Sequence, residues 1–267
     1  MKISYILEKG TGDLNEDALL ANNSVFAVFD GATSLEKKNF NNGLTGGFIA
    51  SNTAKKKFDN KEKSLPQLAF DANLAIRDKM INNNVNISDK ISLWSTSAAA
   101  IKFNQDIIEW AQIGDATIIF IHEDGSFSLP SEKLNHDKKT LYMWKHIANK
   151  TNLPIHEALK GQIKKVRKRM NIDYGVLNGE SSFVSFLNSG KEKIENIKEI
   201  ILFTDGLSIP SMEPGNDNFD KFISIYKQKG LDGLKTEIRA SEKKDPECKI
   251  YPRFKTHDDI AAISISL

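Results

Sequence analysis

An α+β fold, with helices packed on antiparallel sheets, is what this sequence predicts, and three patterns predict it. Apolar runs of strand length are spread along the whole chain. Two helical stretches fall between residues 41 and 80. The strand-like runs between 93 and 122 are separated only by turn residues, as in a meander and unlike alternating βαβ units.

In chain order, residues 3–7 form a strand, and 18–21 and 25–29 form two more joined by Asn22-Asn23. Asn41-Asn42-Gly43 opens a helix that runs to Lys57. Residues 65–80 form a clearer one: Leu65, Leu68, Ala72, Ala75 and Ile76 share a face, and Pro66 falls in the first turn, where proline is tolerated. Residues 93–103, 107–113 and 117–122 read as successive strands, and Glu123-Asp124-Gly125 adds a further hairpin turn. From 130 to 171 the character changes, with base-rich helical stretches at 138–150 and 154–170. An apolar strand at 199–204 precedes helical stretches at 218–228 and 231–241. Residues 260–267 close the chain as a strand in which Ile263, Ile265 and Leu267 alternate with Ser264 and Ser266, so one face is buried.

The 267 residues can bury a substantial core without staples, as one large domain or two small ones. A net charge of +2 sets up no global field toward nucleic acid or a membrane surface. No stretch approaches the ~18 apolar residues of a membrane span, and the first nine residues lack the apolar core of an export signal. Cys248, the only cysteine, excludes an internal disulfide framework and a cysteine-rich zinc site, and its charged surroundings (242–248) predict a surface thiol. The expectation is a cytoplasmic protein.

Two segments 175 residues apart are built alike: 24–29 runs into Asp30-Gly31, and 199–204 runs into Asp205-Gly206. Alone, each Asp-Gly pair reads as a turn, with glycine accepting positive φ. Other acids also fall at strand boundaries: Glu16 and Asp17, Asp115, and Asp258 with Asp259. Carboxylates gathered in one pocket repel unless cations are bound. All-oxygen donors select Mg²⁺, Mn²⁺ or Ca²⁺, and two such ions can clamp a phosphate and activate water.

Six pieces in order resemble the metal-dependent protein phosphatases of type 2C: Asn15-Glu16-Asp17-Ala18, Val28-Phe29-Asp30-Gly31, Ser95-Thr96-Ser97-Ala98, Ile113-Gly114-Asp115-Ala116, Phe203-Thr204-Asp205-Gly206-Leu207 and His257-Asp258-Asp259-Ile260. The resemblance implies a four-layer α-β-β-α sandwich as a single domain over 1–267, with 130–171 as a helical insert or flap. It implies two Mn²⁺ or Mg²⁺ ions: Asp30 bridges both, the Gly31 carbonyl and Glu16 hold one, and Asp205 and Asp258 hold the other. Asp115 with Asp205 offers a weaker third site, and Asp17 orients the strand or a water. Catalysis then runs through metal-bound water held by Asp30 and Asp205. The implied substrate is phosphoserine or phosphothreonine on a protein, handled by a monomer with no nucleic-acid or membrane partner.

Two departures stand out. The family's phosphate-gripping arginine is replaced by Gly12, with Lys9, Arg253 or His257 as substitutes, although a lysine does not reproduce the arginine fork. Ala32-Thr33-Ser34 follows the first Asp-Gly where some members carry histidine. A small-metabolite phosphatase and a phosphatase-like binding module therefore stand as alternatives. The basic run 164–169 reads as a solvated helix face or a contact for an acidic phosphopeptide, since nucleic-acid binding needs a broader basic face or stacking aromatics. The unaccompanied His122, His136, His146 and His156 read as surface or capping residues, and Trp94, Trp110 and Trp144 as core.

Overall fold

The computed structural model describes residues 1–33, 35, 39–40, 43–132 and 135–267. Its ten strands are β1 (Lys2–Glu8), β2 (Ala18–Ala21), β3 (Val25–Gly31), β4 (Thr96–Asn104), β5 (Ile107–Ile113), β6 (Thr117–His122), β7 (Phe127–Ser128), β8 (Asn188–Lys193), β9 (Ile197–Phe203) and β10 (Ile260–Ser266). They form two sheets, ordered β1-β10-β9-β6-β7 and β2-β3-β4-β5-β8. Every pairing is antiparallel.

Side-chain alternation sorts the core into layers. In β3, Phe26 and Val28 meet Ile118, Leu202 and Ile263 of the other sheet. Val25, Ala27 and Phe29 point the opposite way, onto α1 (Gly46–Phe58) and α2 (Leu65–Asn82). In β10, Ala261, Ile263 and Ile265 face the space between the sheets, while Ile260 and Ala262 face Leu234 and Ile238 of α6 (Phe219–Lys243). Burial on both faces favours apolar residues at successive positions, which is why 25–29 of β3 and 200–203 of β9 read as unbroken runs. Each fully buried large aliphatic or aromatic side chain contributes about 1.5–3 kcal/mol. The result is the expected four-layer sandwich.

Several boundaries differ from the sequence expectation. The first helix starts at Gly46, because the Thr45 hydroxyl accepts from the Phe48 N–H and caps it there; Asn41 and Asn42 lie outside the described residues. α2 begins with a full capping box between Ser64 and Gln67. Residues 154–170 do not make one helix: α4 (Ile155–Ala158) and α5 (Lys160–Arg167) are divided at Leu159, whose backbone (φ −114°, ψ 22°) leaves the helical region. Leu159 turns instead into a small cluster with Trp144 and Ala148 at the end of α3 (Lys138–Ile147). The two stretches expected near 218–241 meet at Gly230, where φ is 66°. Cys248 is buried, not at the surface, beneath Trp144, whose indole N–H donates to its carbonyl at 2.7 Å. Burial pushes its thiol up to about 11. The three tryptophans are core residues, as expected. Among the described residues, no helix is long and apolar enough to cross a membrane.

Candidate metal centre

Strand pairing gathers the acidic residues at one end of the sandwich. Asp30 and Gly31 pair with Ser97 and Thr96 of β4. Ala18, just after Glu16-Asp17, pairs with Phe29. Phe203, two residues before Asp205, pairs with Ala262, three residues after Asp259. Asp115 occupies the β5–β6 turn, next to Thr117, which pairs with Phe203.

Electrostatics shows the convergence. Burial pushes the Asp30 carboxyl well above the usual carboxylate range, and the charges of Asp205, Asp17, Asp115 and Asp258 push it further. Asp17 is raised the same way, first by burial and then by Asp258, Asp205 and Asp259; the Thr204 hydroxyl, donating at 2.7 Å, only partly opposes this. Asp30 has no hydrogen-bond donor among the described residues.

The other acids have partners. Glu16 is buried and accepts from the Thr33 hydroxyl at 2.5 Å and the Thr45 hydroxyl at 2.6 Å. Asp115 accepts from the Ser97 hydroxyl at 2.6 Å. Asp258 accepts from the Lys255 ammonium at 2.6 Å through Oδ1, and its carbonyl accepts from Arg239 at 2.7 Å. Arg239 also pairs with Glu242, which holds His257 Nδ1 at 2.7 Å. Asp259 accepts the backbone N–H of Gly10 at 2.7 Å and of Glu16 at 2.8 Å, tying the end of β1 and the first acidic pair to the start of β10. Sequence reading gave Asp259 no such role.

The two Asp-Gly glycines do not serve as positive-φ turn residues, correcting that expectation. They are sites of close backbone approach. A Cβ on Gly31 would stand 2.3 Å from the Glu16 carbonyl oxygen, and one on Gly206 would stand 1.9 Å from the Asp259 carbonyl oxygen. Each glycine lets one carboxylate-bearing segment lie directly against another.

A cavity of about 160 Å³ opens over this end, lined by Asp115, Asp137, Asp205, Glu242, Lys255 and Asp258. The phosphate contacts expected from the sequence are placed elsewhere or already engaged. Lys9 is exposed and among the described residues reaches only the Asp13 carbonyl at 3.4 Å, and His257 is engaged by Glu242. Arg253 is held by Asp245 at 2.8 Å. None of Lys9, His257 and Gly12 borders this cavity, whereas Arg253 and Lys255 do.

The donor set fits a hard divalent cation in its chemistry: all oxygen, strongly negative, with Asp30 left without a donor among the described residues. As the side chains stand, no three carboxylate or imidazole groups among the described residues close on a single ion position. Glu16 holds one hydroxyl on each carboxylate oxygen, and Asp115 holds one on Oδ1.

A sequence profile described as Protein phosphatase 2C matches residues 9–240. The chain belongs to the protein phosphatase 2C family. No curated protein matches it in sequence. Its fold is similar to that of the serine/threonine phosphatase PstP/Ppp of Mycobacterium tuberculosis (TM-score 0.60, 14% identity, covering 100% of this chain and 98% of that one). It is also similar to PppA of Pseudomonas aeruginosa (TM-score 0.60, 12% identity, 100% and 97% covered). A PstP catalytic domain in complex with two manganese ions aligns at TM-score 0.58 and 14% identity over 98% and 96% of the two chains. As a protein phosphatase 2C chain, this is a metal-dependent hydrolase of the serine/threonine phosphatase class.

Proposed function

We propose that the chain removes phosphate from phosphoserine and phosphothreonine in proteins, using two Mn²⁺ or Mg²⁺ ions held by Glu16, Asp30, the Gly31 carbonyl, Asp205 and Asp258, with Asp115 and Asp205 as a weaker third site. The observation that carries this reading is Asp30: a carboxylate on a strand, without a donor among the described residues and under the charge of four other carboxylates. The two manganese ions of the PstP neighbour support it. When bound, such ions neutralise phosphoryl charge and supply an activated water as nucleophile.

The protein's own groups prepare the site. Thr204 fixes Asp17, and Asp259 sets the backbone that carries Glu16. Arg239 fixes the Asp258 carbonyl, so this carboxylate leaves a braced backbone. We read the chain as a single catalytic unit over 1–267, with 130–171 as a flap, acting as a cytoplasmic monomer without nucleic-acid or membrane partners. The profile match and the end-to-end structural alignment support the single unit.

Hydrolysis of an aryl phosphate with Mn²⁺, with EDTA, and by Asp205→Asn tests the reading. Activity is expected only in the first case, and activity that survives both chelation and mutation sinks it. A metabolite phosphatase is the second reading, favoured by Gly12 where the family has arginine; a phosphopeptide set run beside a phosphometabolite panel separates the two.

A further inference from the structure

Lys255 brings an ammonium group into the acidic centre. It stands three residues before Asp258, on the loop between α6 and β10, and its side chain is 23% exposed. The loop is braced: Asp245 accepts from the backbone of Lys249 and Tyr251 at 2.9 and 2.8 Å and from Arg253 at 2.8 Å. The Thr256 hydroxyl donates to the Pro246 carbonyl at 2.7 Å, and Phe254 packs on the Trp144 cluster. At neutral pH a lysine side chain carries an ammonium cation, its ordinary pKa being about 10.4.

An ammonium has three donors. One is spent on Asp258 Oδ1. Lys255 lines both the 160 Å³ cavity shared with Asp205 and Asp115 and a neighbouring groove shared with Gly12 and Asp13, and no further acceptor for its ammonium appears among the described residues. Among the described residues, Asp258 Oδ2 takes part in no hydrogen bond, which leaves that oxygen for another ligand while Oδ1 stays on the lysine. An ammonium cannot ligate a metal cation. In a centre that handles an anionic substrate, its remaining use is to hold the anion.

We propose that Lys255 anchors a non-bridging oxygen of the substrate phosphate. This rests on the phosphatase reading above. The group acts as a point charge and not as a bidentate fork, so it contributes mainly to binding and less to alignment.

Lys255→Gln, Lys255→Met and Lys255→Arg, each loaded with Mn²⁺, test the assignment. The Gln and Met variants should weaken inorganic phosphate, measured by calorimetry and by product inhibition, about 10- to 100-fold, the loss expected of one charge-assisted contact. KM for an aryl phosphate should rise alongside, kcat should change less, and Mn²⁺ affinity should stay within about 3-fold. Lys255→Arg should recover most of the phosphate affinity. If Lys255→Gln shifts Mn²⁺ affinity and leaves phosphate affinity unchanged, the lysine only orients Asp258 and the proposal is overturned. If the wild type hydrolyses no phosphoester yet binds phosphate through Lys255, the phosphatase reading fails and the anchor stands.

Discussion

The carboxylate centre and the segment from 130 to 187 meet at one edge of the molecule but are built in opposite ways. In the centre, Asp30 ends a strand buried on both faces, and Glu16, Asp17 and Asp259 are buried and hydrogen-bonded to other parts of the backbone or to hydroxyls. In the segment, α4 and α5 are only 4 and 8 residues long, and they rest on a small cluster around Trp144, Ile155 and Leu159. Lys160, Lys164, Lys165 and Lys168 are exposed, and among the described residues none of them takes part in an ion pair. The two regions join where Arg167 donates to the Thr33 carbonyl at 2.8 Å, on the residue whose hydroxyl holds Glu16. A rigid negative centre calls for metal cations, and an exposed positive flank suits an anionic partner. Chemistry and selection can therefore be broken separately.

The largest effect should come from Asp30→Asn. If Asp30 bridges the ions as proposed, its loss should lower phosphatase activity by at least about 10³-fold, on the scale of losing a transition-state group. The same change should raise the melting temperature of the metal-free protein, because it removes a buried charge that four neighbours repel. The pH dependence carries the same sign. The folded pKa of Asp30 and Asp17 lies above the unfolded value of about 3.9. Their contribution to stability is therefore complete at low pH and is lost as pH rises through the raised folded value. Asp245 and Glu8 are lowered and act oppositely, so the useful quantity is the difference between wild type and Asp30→Asn. That difference should widen from pH 4 toward neutrality, and Mn²⁺ should raise the wild-type melting temperature more at pH 7.5 than at pH 5. Scanning fluorimetry reads all of this. A metal-free Asp30→Asn protein less stable than wild type at neutral pH would show that the centre is not under charge repulsion.

Asp259→Ala should come next. It strips the acceptor from two backbone N–H groups, at Gly10 and Glu16. Charge-assisted bonds of this kind are each worth about 1.5–3 kcal/mol, and a loss of about 3 kcal/mol in urea unfolding is expected. Activity should fall about 10-fold as the segment carrying Glu16 loosens. Full activity in a destabilised protein would separate the clamp from the chemistry.

How much of this was legible in the sequence follows from what each residue packs against. β3 and β9 could be read because burial on both faces gives unbroken apolar runs at 25–29 and 200–203. β8 could not: its mostly exposed residues, Asn188–Lys193, join the sheet by backbone pairing with β5 alone, and no side-chain pattern records that. Cys248 was misplaced because its charged neighbours are real, while the cover from Trp144 comes from 104 residues away. The Asp-Gly pairs were located correctly but for the wrong reason. A close backbone contact and a left-handed turn both demand glycine, and sequence alone does not distinguish them. Lys255 was missed because its partner is visible, three residues on, but the cavity around it is made by the folding back of the loop.

The smallest expected effect tests the flank. Replacing Lys160, Lys164, Lys165 and Lys168 with glutamine touches no group assigned to the centre. Exposed charge pairs are worth about 0.2–1 kcal/mol each, so only part of the four should act on any one substrate. The predicted loss is about 3- to 10-fold in kcat/KM on a phosphopeptide flanked by Asp and Glu. No more than about a 2-fold change is expected on an aryl phosphate, which is too small to reach the helix. Because the interaction is solvent-exposed, the loss should shrink toward nothing as the ionic strength approaches about 1 M, where screening acts within about 3 Å. Equal losses on both substrates would mean that α5 acts on the centre through the Arg167–Thr33 contact, and that the division between chemistry and selection does not hold at that joint. A loss confined to the acidic peptide, and erased by salt, would place selection on the insert and leave catalysis to the strand ends.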